Sequence, residues 1–89
     1  MQSQTTSRFR RCFNLLPQSI QDKTKKAFRL WLQYPNHPSL HFKKIHAVDP
    51  VYSVRIDLNY RALGVREENV LIWFWIGTHE EYNKLLSEL

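Results

Sequence analysis

Acidic residues are nearly missing from the first half of this chain: residues 1–46 carry nine lysines and arginines against the single acid Asp22. The second half is the reverse, with four basic residues against seven acids, so the net charge of +5 hides a strongly basic half and a mildly acidic one. A basic surface of this kind suits a polyanion, either nucleic acid or an acidic protein segment, unless it is simply a solvated helix face. Cysteine is just as scarce. Cys12 alone excludes an internal disulfide, and among Phe9, Phe13 and Leu16 it reads as a small core residue. Only two glycines occur, Gly64 and Gly77, and no glycine-rich phosphate loop or Ser-His-Asp set can be drawn. The longest apolar run, Val70 to Ile76, is too short to span a bilayer, and "MQSQTTSRFRR" has no signal-peptide core. A soluble, cytoplasmic protein without a membrane role is expected.

What is present fits one domain over residues 1–89. At 10.8 kDa the chain supports a single core with a modest stability margin. A hydrophobic content of 43% with 13% aromatics argues for a folded globule. Phe9, Cys12, Phe13 and Leu16 repeat at helical spacing behind Thr6 or Ser7 as a cap. Pro17 suits the start of a second helix, whose stripe of Ile20, Thr24, Ala27, Phe28, Trp31 and Leu32 ends before Pro35. The two make a helical hairpin. The following "YPNHPSLHFKKIHAVDP" has three prolines and no period, and reads as an ordered but irregular crossing.

From Val51 the period changes to two: Tyr52, Val54 and Ile56 alternate with Ser53, Arg55 and Asp57. "YRALGV" forms a second strand on a tight hairpin, and Val70 to Ile76, apolar on both faces, forms a third, covered from both sides. Thr78 with Glu81 is a capping box, after which Tyr82, Leu85, Leu86 and Leu89 give a last helix its apolar face. Residues 1 to 5 add at most a short edge strand. The expected class is α+β: an N-terminal helical hairpin packed on a small antiparallel sheet of three to four strands, with a C-terminal helix.

His79 falls at the first position of that last helix, just past the third strand. A neutral imidazole there can accept a proton, which makes His79 a candidate general base as well as an ordinary surface histidine. His37, His41 and His46 suggest a metal site only superficially, since Pro38 prevents a helix that would join His37 to His41 and no cysteine or carboxylate completes a set. No metal or other cofactor is expected. Trp31, Trp73 and Trp75 read as core, with Trp73 and Trp75 on one strand face.

"YSVRIDLNYRALGV", "WIGTHEEYNKLL" and the "NHPSLHFKKI" crossing, in that setting of elements, resemble the RelE/ParE superfamily of bacterial toxins from type II toxin–antitoxin pairs. The resemblance covers nearly the whole chain. It implies one of two activities: metal-independent cleavage of mRNA in the ribosomal A site, as in RelE-like members, or inhibition of DNA gyrase, as in ParE-like members. A third possibility is an inactive relative that keeps antitoxin binding. For the first, Arg61 matches the strand arginine that clamps the scissile phosphate, and Arg55 matches a basic strand position of similar use. His79 resembles the proton-moving histidine of YafQ-like and HigB-like members. Tyr82 stands where the family has a C-terminal aromatic that stacks on a base or donates a hydrogen bond. Lys43, Lys44 and His46 would hold the flanking RNA, with His46 a lesser candidate for proton transfer. Ser53 and His79 occupy positions where RelE itself has basic residues.

The residues allow other roles. Arg61 could pair with Asp57 or Glu81, and Tyr82 could belong to the core stripe. A two-residue turn at Leu58 and Asn59 would put Arg55 and Arg61 on opposite faces; a three-residue loop would bring them together. The implied partners are an acidic antitoxin that folds across the basic surface, and ribosome with mRNA or, alternatively, gyrase.

Overall fold

A computed structural model describes residues 1–88. Its elements are β1 (Gln2–Thr5), α1 (Ser7–Asn14), α2 (Gln18–Gln33), a 3₁₀ turn at Pro38–Leu40, β2 (Lys43–Lys44), β3 (Val51–Asp57), β4 (Tyr60–Glu67), β5 (Val70–Thr78) and α3 (His79–Glu88). Leu89, expected on the last helix, lies outside the described residues. None of the described helices is long and apolar enough to cross a membrane.

Each helix starts where its caps dictate. The Thr6 hydroxyl accepts from Phe9 N–H at 3.1 Å, and Pro17, its carbonyl accepting from Ile20 and Gln21, precedes rather than opens α2. Thr78 and Glu81 close the expected capping box: Glu81 N–H donates to the Thr78 hydroxyl at 3.2 Å, and Thr78 N–H donates to the Glu81 carboxylate at 3.0 Å.

The sheet has five strands in the order β1-β5-β4-β3-β2. Two short edge strands thus extend the three central ones. β1 runs parallel to β5, with Gln2 opposite Val70, so the sheet is mixed rather than wholly antiparallel. β2 forms inside the segment that lacks any period in sequence, because Lys43 and Lys44 pair with Ser53 and Tyr52 at the free edge of β3. Two residues are too few to show a period.

α1 and α2 cover one face of the sheet, where Phe9, Trp31, Leu40, Val54, Ala62, Leu71, Trp73 and Ile76 form the larger core. Aromatic rings link it: Phe28 stacks on Trp73 with centroids 4.8 Å apart, and Trp31 meets Trp73 edge-on at 5.5 Å. α3 covers part of the other face, burying Trp75, Leu63 and Tyr82 with help from Leu85 and Leu86. β5 is therefore covered on both faces, as its composition implies. Cys12 is half-buried against the core.

Trp73 and Trp75 do not share a face. Gly64 pairs with Trp73 and Leu63 with Trp75, so Phe74 is an extra residue that flips the alternation. The bulge sends one indole to each core.

Candidate functional site

A second bulge builds the site. Asp57 pairs with Tyr60 across a two-residue turn at Leu58 and Asn59, which alone would set Arg55 and Arg61 on opposite faces. Ile56 is skipped in the pairing and packs into the helix-side core, so Arg55 comes directly opposite Arg61. The turn is the two-residue one, and the bulge at Ile56, not a three-residue loop, brings the arginines together. The arginines stand side by side on the face away from the helical hairpin.

In register with them, Arg61 faces Gly77 on β5. A Cβ on Gly77 would lie 2.5 Å from the Trp75 ring, so glycine is what lets that indole pack against the strand end. The chain then turns immediately into α3, and His79 N–H donates to the Asn59 carbonyl at 2.8 Å, tying the helix start to the β3–β4 turn. The most apolar strand ends in a histidine because its end is the rim of a polar cleft.

His41, Lys43, Ser53, Arg55, Arg61, His79 and Tyr82 line that cleft, which holds about 100 Å³. This is room for a phosphodiester group. None of these lining residues is a carboxylate. Arg55 also lines the adjoining cleft against α2 with Lys23 and Lys26, so positive charge continues around the sheet edge.

Arg61 is half-buried and donates from Nη1 to the carbonyls of Asp57 and, at 3.0 Å, Tyr60. Desolvation by burial, and then the charge of Arg55, lower its pKa from the ordinary guanidinium value. Its sequence alternatives are otherwise engaged: the Asp57 carboxylate meets Lys23 at 3.3 Å and the Glu81 carboxylate caps α3. Two guanidinium groups therefore share one face without an acid between them.

Tyr82 is buried, and its hydroxyl donates to Ser53 Oγ at 3.3 Å. With its ring packed in the smaller core, it has little face to offer for base stacking. The His79 ring lies 5.9 Å from the Tyr82 ring, tilted by 38°. Glu81 is held below the usual carboxylate range by the Thr78 backbone N–H and then by the Thr78 hydroxyl.

Two residues expected to bind RNA stand apart. Lys44 pairs with Tyr52 and so shares that residue's face, while Lys43, one residue earlier, shares the face of Ser53 and the cleft. His46 Nδ1 accepts from the backbone N–H groups of Asp49 at 2.9 Å and Val48 at 3.4 Å. An Nδ1 that accepts from the backbone has no proton for the Asp49 carboxylate 3.7 Å away, and the ring serves the loop before β3.

His41 and Ser53 were not among the expected site residues. Ser53 could have been found by parity, since it sits two positions before Arg55 on one strand. His41 had no such signal, because its position depends on the pairing of two residues in an apparently irregular segment.

The model of one protein family, described as the ParE-like toxin domain, matches residues 18–84. Solved structures agree in fold. RelE in a RelB–RelE antitoxin–toxin complex from Methanococcus jannaschii superposes with a TM-score of 0.74 at 16% identity, covering 92% of this chain and 96% of that one. YafQ from Escherichia coli superposes at 0.73 with 10% identity, covering 90% and 94%. A YoeB/ParE toxin from Agrobacterium tumefaciens superposes at 0.70 with 13% identity, covering 89% and 99%. The search of curated proteins gives no sequence match.

Proposed function

The chain belongs to the ParE-like toxin domain family, and we propose that it is the toxin of a type II toxin–antitoxin pair that acts as a metal-independent, ribosome-dependent mRNA endoribonuclease. The observation that carries this reading is the Arg55–Arg61 pair, placed side by side with His79 on one acid-free cleft. Like charges set directly opposite on a sheet repel, and a phosphate between them relieves the repulsion.

The chemistry follows from these groups. Cleavage of RNA by its own 2′-hydroxyl needs cations on the phosphate and a group that moves a proton. Arg61, fixed by two carbonyls, is the preorganised clamp; Arg55, free to turn, closes on the second phosphate oxygen. His79 moves a proton, and the Tyr82 hydroxyl, which otherwise donates to Ser53 Oγ, turns its one proton to the phosphate. Lys43 and the Lys23–Lys26 edge receive flanking backbone. The cations come from side chains, so the reading calls for no metal or other cofactor.

Partners follow from the same surface. RelE and YafQ are seen in complexes with RelB and DinJ. For this chain the corresponding partner is an acidic antitoxin segment that folds across the cleft and neutralises its arginines. The site of action is the cytoplasmic ribosome carrying mRNA.

Purified protein added to ribosomes programmed with a defined mRNA tests the reading. Cleavage that persists in a metal chelator as far as the ribosomes tolerate it, and that is lost in Arg61→Ala and His79→Ala, is expected. Intact mRNA together with blocked gyrase supercoiling would replace it with the gyrase-inhibitor reading.

A further inference from the structure

A single histidine leaves the proposed cleavage half-supplied, because one proton must leave the 2′-hydroxyl and another must reach the departing 5′-oxygen. In an in-line displacement those oxygens lie on opposite sides of the phosphorus. His79 stands at only one side of the arginine row.

The other side is occupied by His41. Lys43 pairs with Ser53, so the same antiparallel register carried two residues back sets His41 level with Arg55. The side chains meet, with Arg55 Nη1 and His41 Nε2 3.3 Å apart. Across the sheet the row reads His41, Arg55, Arg61, Gly77; the Trp75 ring and the Glu81 carboxylate take the space beside Gly77, and His79, two residues on, lines the cleft from that end. The two imidazoles flank the two guanidinium groups.

A guanidinium only donates, so in this hydrogen bond Nε2 is the acceptor, the tautomer with its proton on Nδ1. Its backbone sets where the ring starts. His41 ends the 3₁₀ turn with φ at 45°, a left-handed conformation that favours glycine. Histidine is among the side chains that take this cap conformation, which Glu68 also takes in the β4–β5 turn, and here it turns His41 out of the 3₁₀ turn toward β3.

Resting on the endoribonuclease reading, we infer that His41 is a second catalytic residue, the general base that pairs with His79 as general acid. When the phosphate draws Arg55 onto its oxygens, His41 Nε2 is freed and takes the proton of the 2′-hydroxyl. The 2′-oxygen bonds to phosphorus as the bond from phosphorus to the 5′-oxygen breaks, and His79 gives its proton to that oxygen. The products are a 2′,3′-cyclic phosphate and a 5′-hydroxyl. His41 ends protonated and His79 neutral, and exchange with water resets both. The charged and titratable groups facing His41 are Lys43 from its own segment, Arg55 and Arg61 from β3 and β4, and His79 and Tyr82 from α3.

The test uses ribosome-bound mRNA with either a normal scissile bond or one whose 5′-oxygen is replaced by sulfur, a leaving group that needs no acid. Wild type, His41→Gly, His41→Asn and His79→Ala are compared. His79→Ala should lose about 10²–10⁴-fold on the normal bond and regain most of it on the sulfur bond. Both His41 variants should lose a similar factor on both bonds, and the fall of the wild-type rate at low pH should disappear in them. His41→Gly should melt at or above the wild-type temperature, since glycine accepts φ of 45° without strain. Should it melt lower, His41→Asn, which also tolerates that backbone, decides. Wild-type rates in the His41 variants, or their rescue by sulfur, would overturn the assignment while leaving the ribonuclease reading intact. A wild-type protein that cuts neither substrate would overturn both.

Discussion

Replacing Arg55 by glutamine should make the fold more stable while making the protein less active. Arg55 stands directly opposite Arg61 on one sheet face, and Arg61 has no carboxylate partner. Directly opposed like charges cost a sheet about 0.2–1 kcal/mol. Arg55 gives up little when it is lost, because its hydrogen bond to His41 is an exposed one, and such surface interactions contribute close to nothing. A net gain of about 0.5 kcal/mol corresponds to a rise in Tm of roughly 2–4 °C for a domain of this size. Arg61→Gln should go the other way. Its guanidinium is half-buried and holds the Asp57 and Tyr60 carbonyls, so losing those bonds costs more than the repulsion relieved, on the order of 1–2 kcal/mol. Thermal unfolding followed by circular dichroism at low salt and at about 1 M salt, where screening falls to ~3 Å, measures both. The gain from Arg55→Gln should shrink at high salt. A variant that melts below wild type at low salt, or whose shift ignores salt, would refute the repulsion on which phosphate binding rests.

Gly77→Ala should destabilise the fold by about 1–3 kcal/mol, because the new Cβ meets the buried Trp75 ring; denaturant titration reads this, and an unchanged midpoint would mean the indole moves freely. Thr78→Ala should cost about 1 kcal/mol through the lost α3 cap, measured in the same way. Glu81 has a folded pKa below its unfolded one, so its contribution is present above the unfolded value and is lost as pH falls through the folded value. Glu81→Gln should therefore flatten that part of the acid limb of the stability curve. Lys43→Ala should reduce the salt dependence of RNA binding by about one phosphate contact, whereas Lys44→Ala, on the other face, should leave cleft binding unchanged; equal effects in a binding titration would remove the distinction drawn from the β2 register.

The strong periods were readable. Helical stripes behind Thr6 and Pro17, the alternation from Val51 and the capping box at Thr78 each place several residues at once, and the folded elements begin and end within a residue or so of them. The site depended on single insertions that leave no period. Ile56 and Phe74 are apolar residues among apolar neighbours, and nothing in their chemistry marks them as the ones that pairing skips. Yet Ile56 decides whether Arg55 joins Arg61, and Phe74 decides which core receives Trp75. β2 is hidden for a related reason, since its two lysines become a strand only by pairing with the β3 edge. That pairing separates Lys43 from Lys44 and brings in His41.

The most direct test of the account is a primer-extension map of cellular mRNA after brief induction of the wild-type protein, beside His79→Ala. Cuts at codon-spaced positions within translated regions, absent in the variant, are the predicted result. Growth arrest with uncut mRNA, or the same cuts in His79→Ala, would contradict a ribosome-dependent nuclease with His79 in its site.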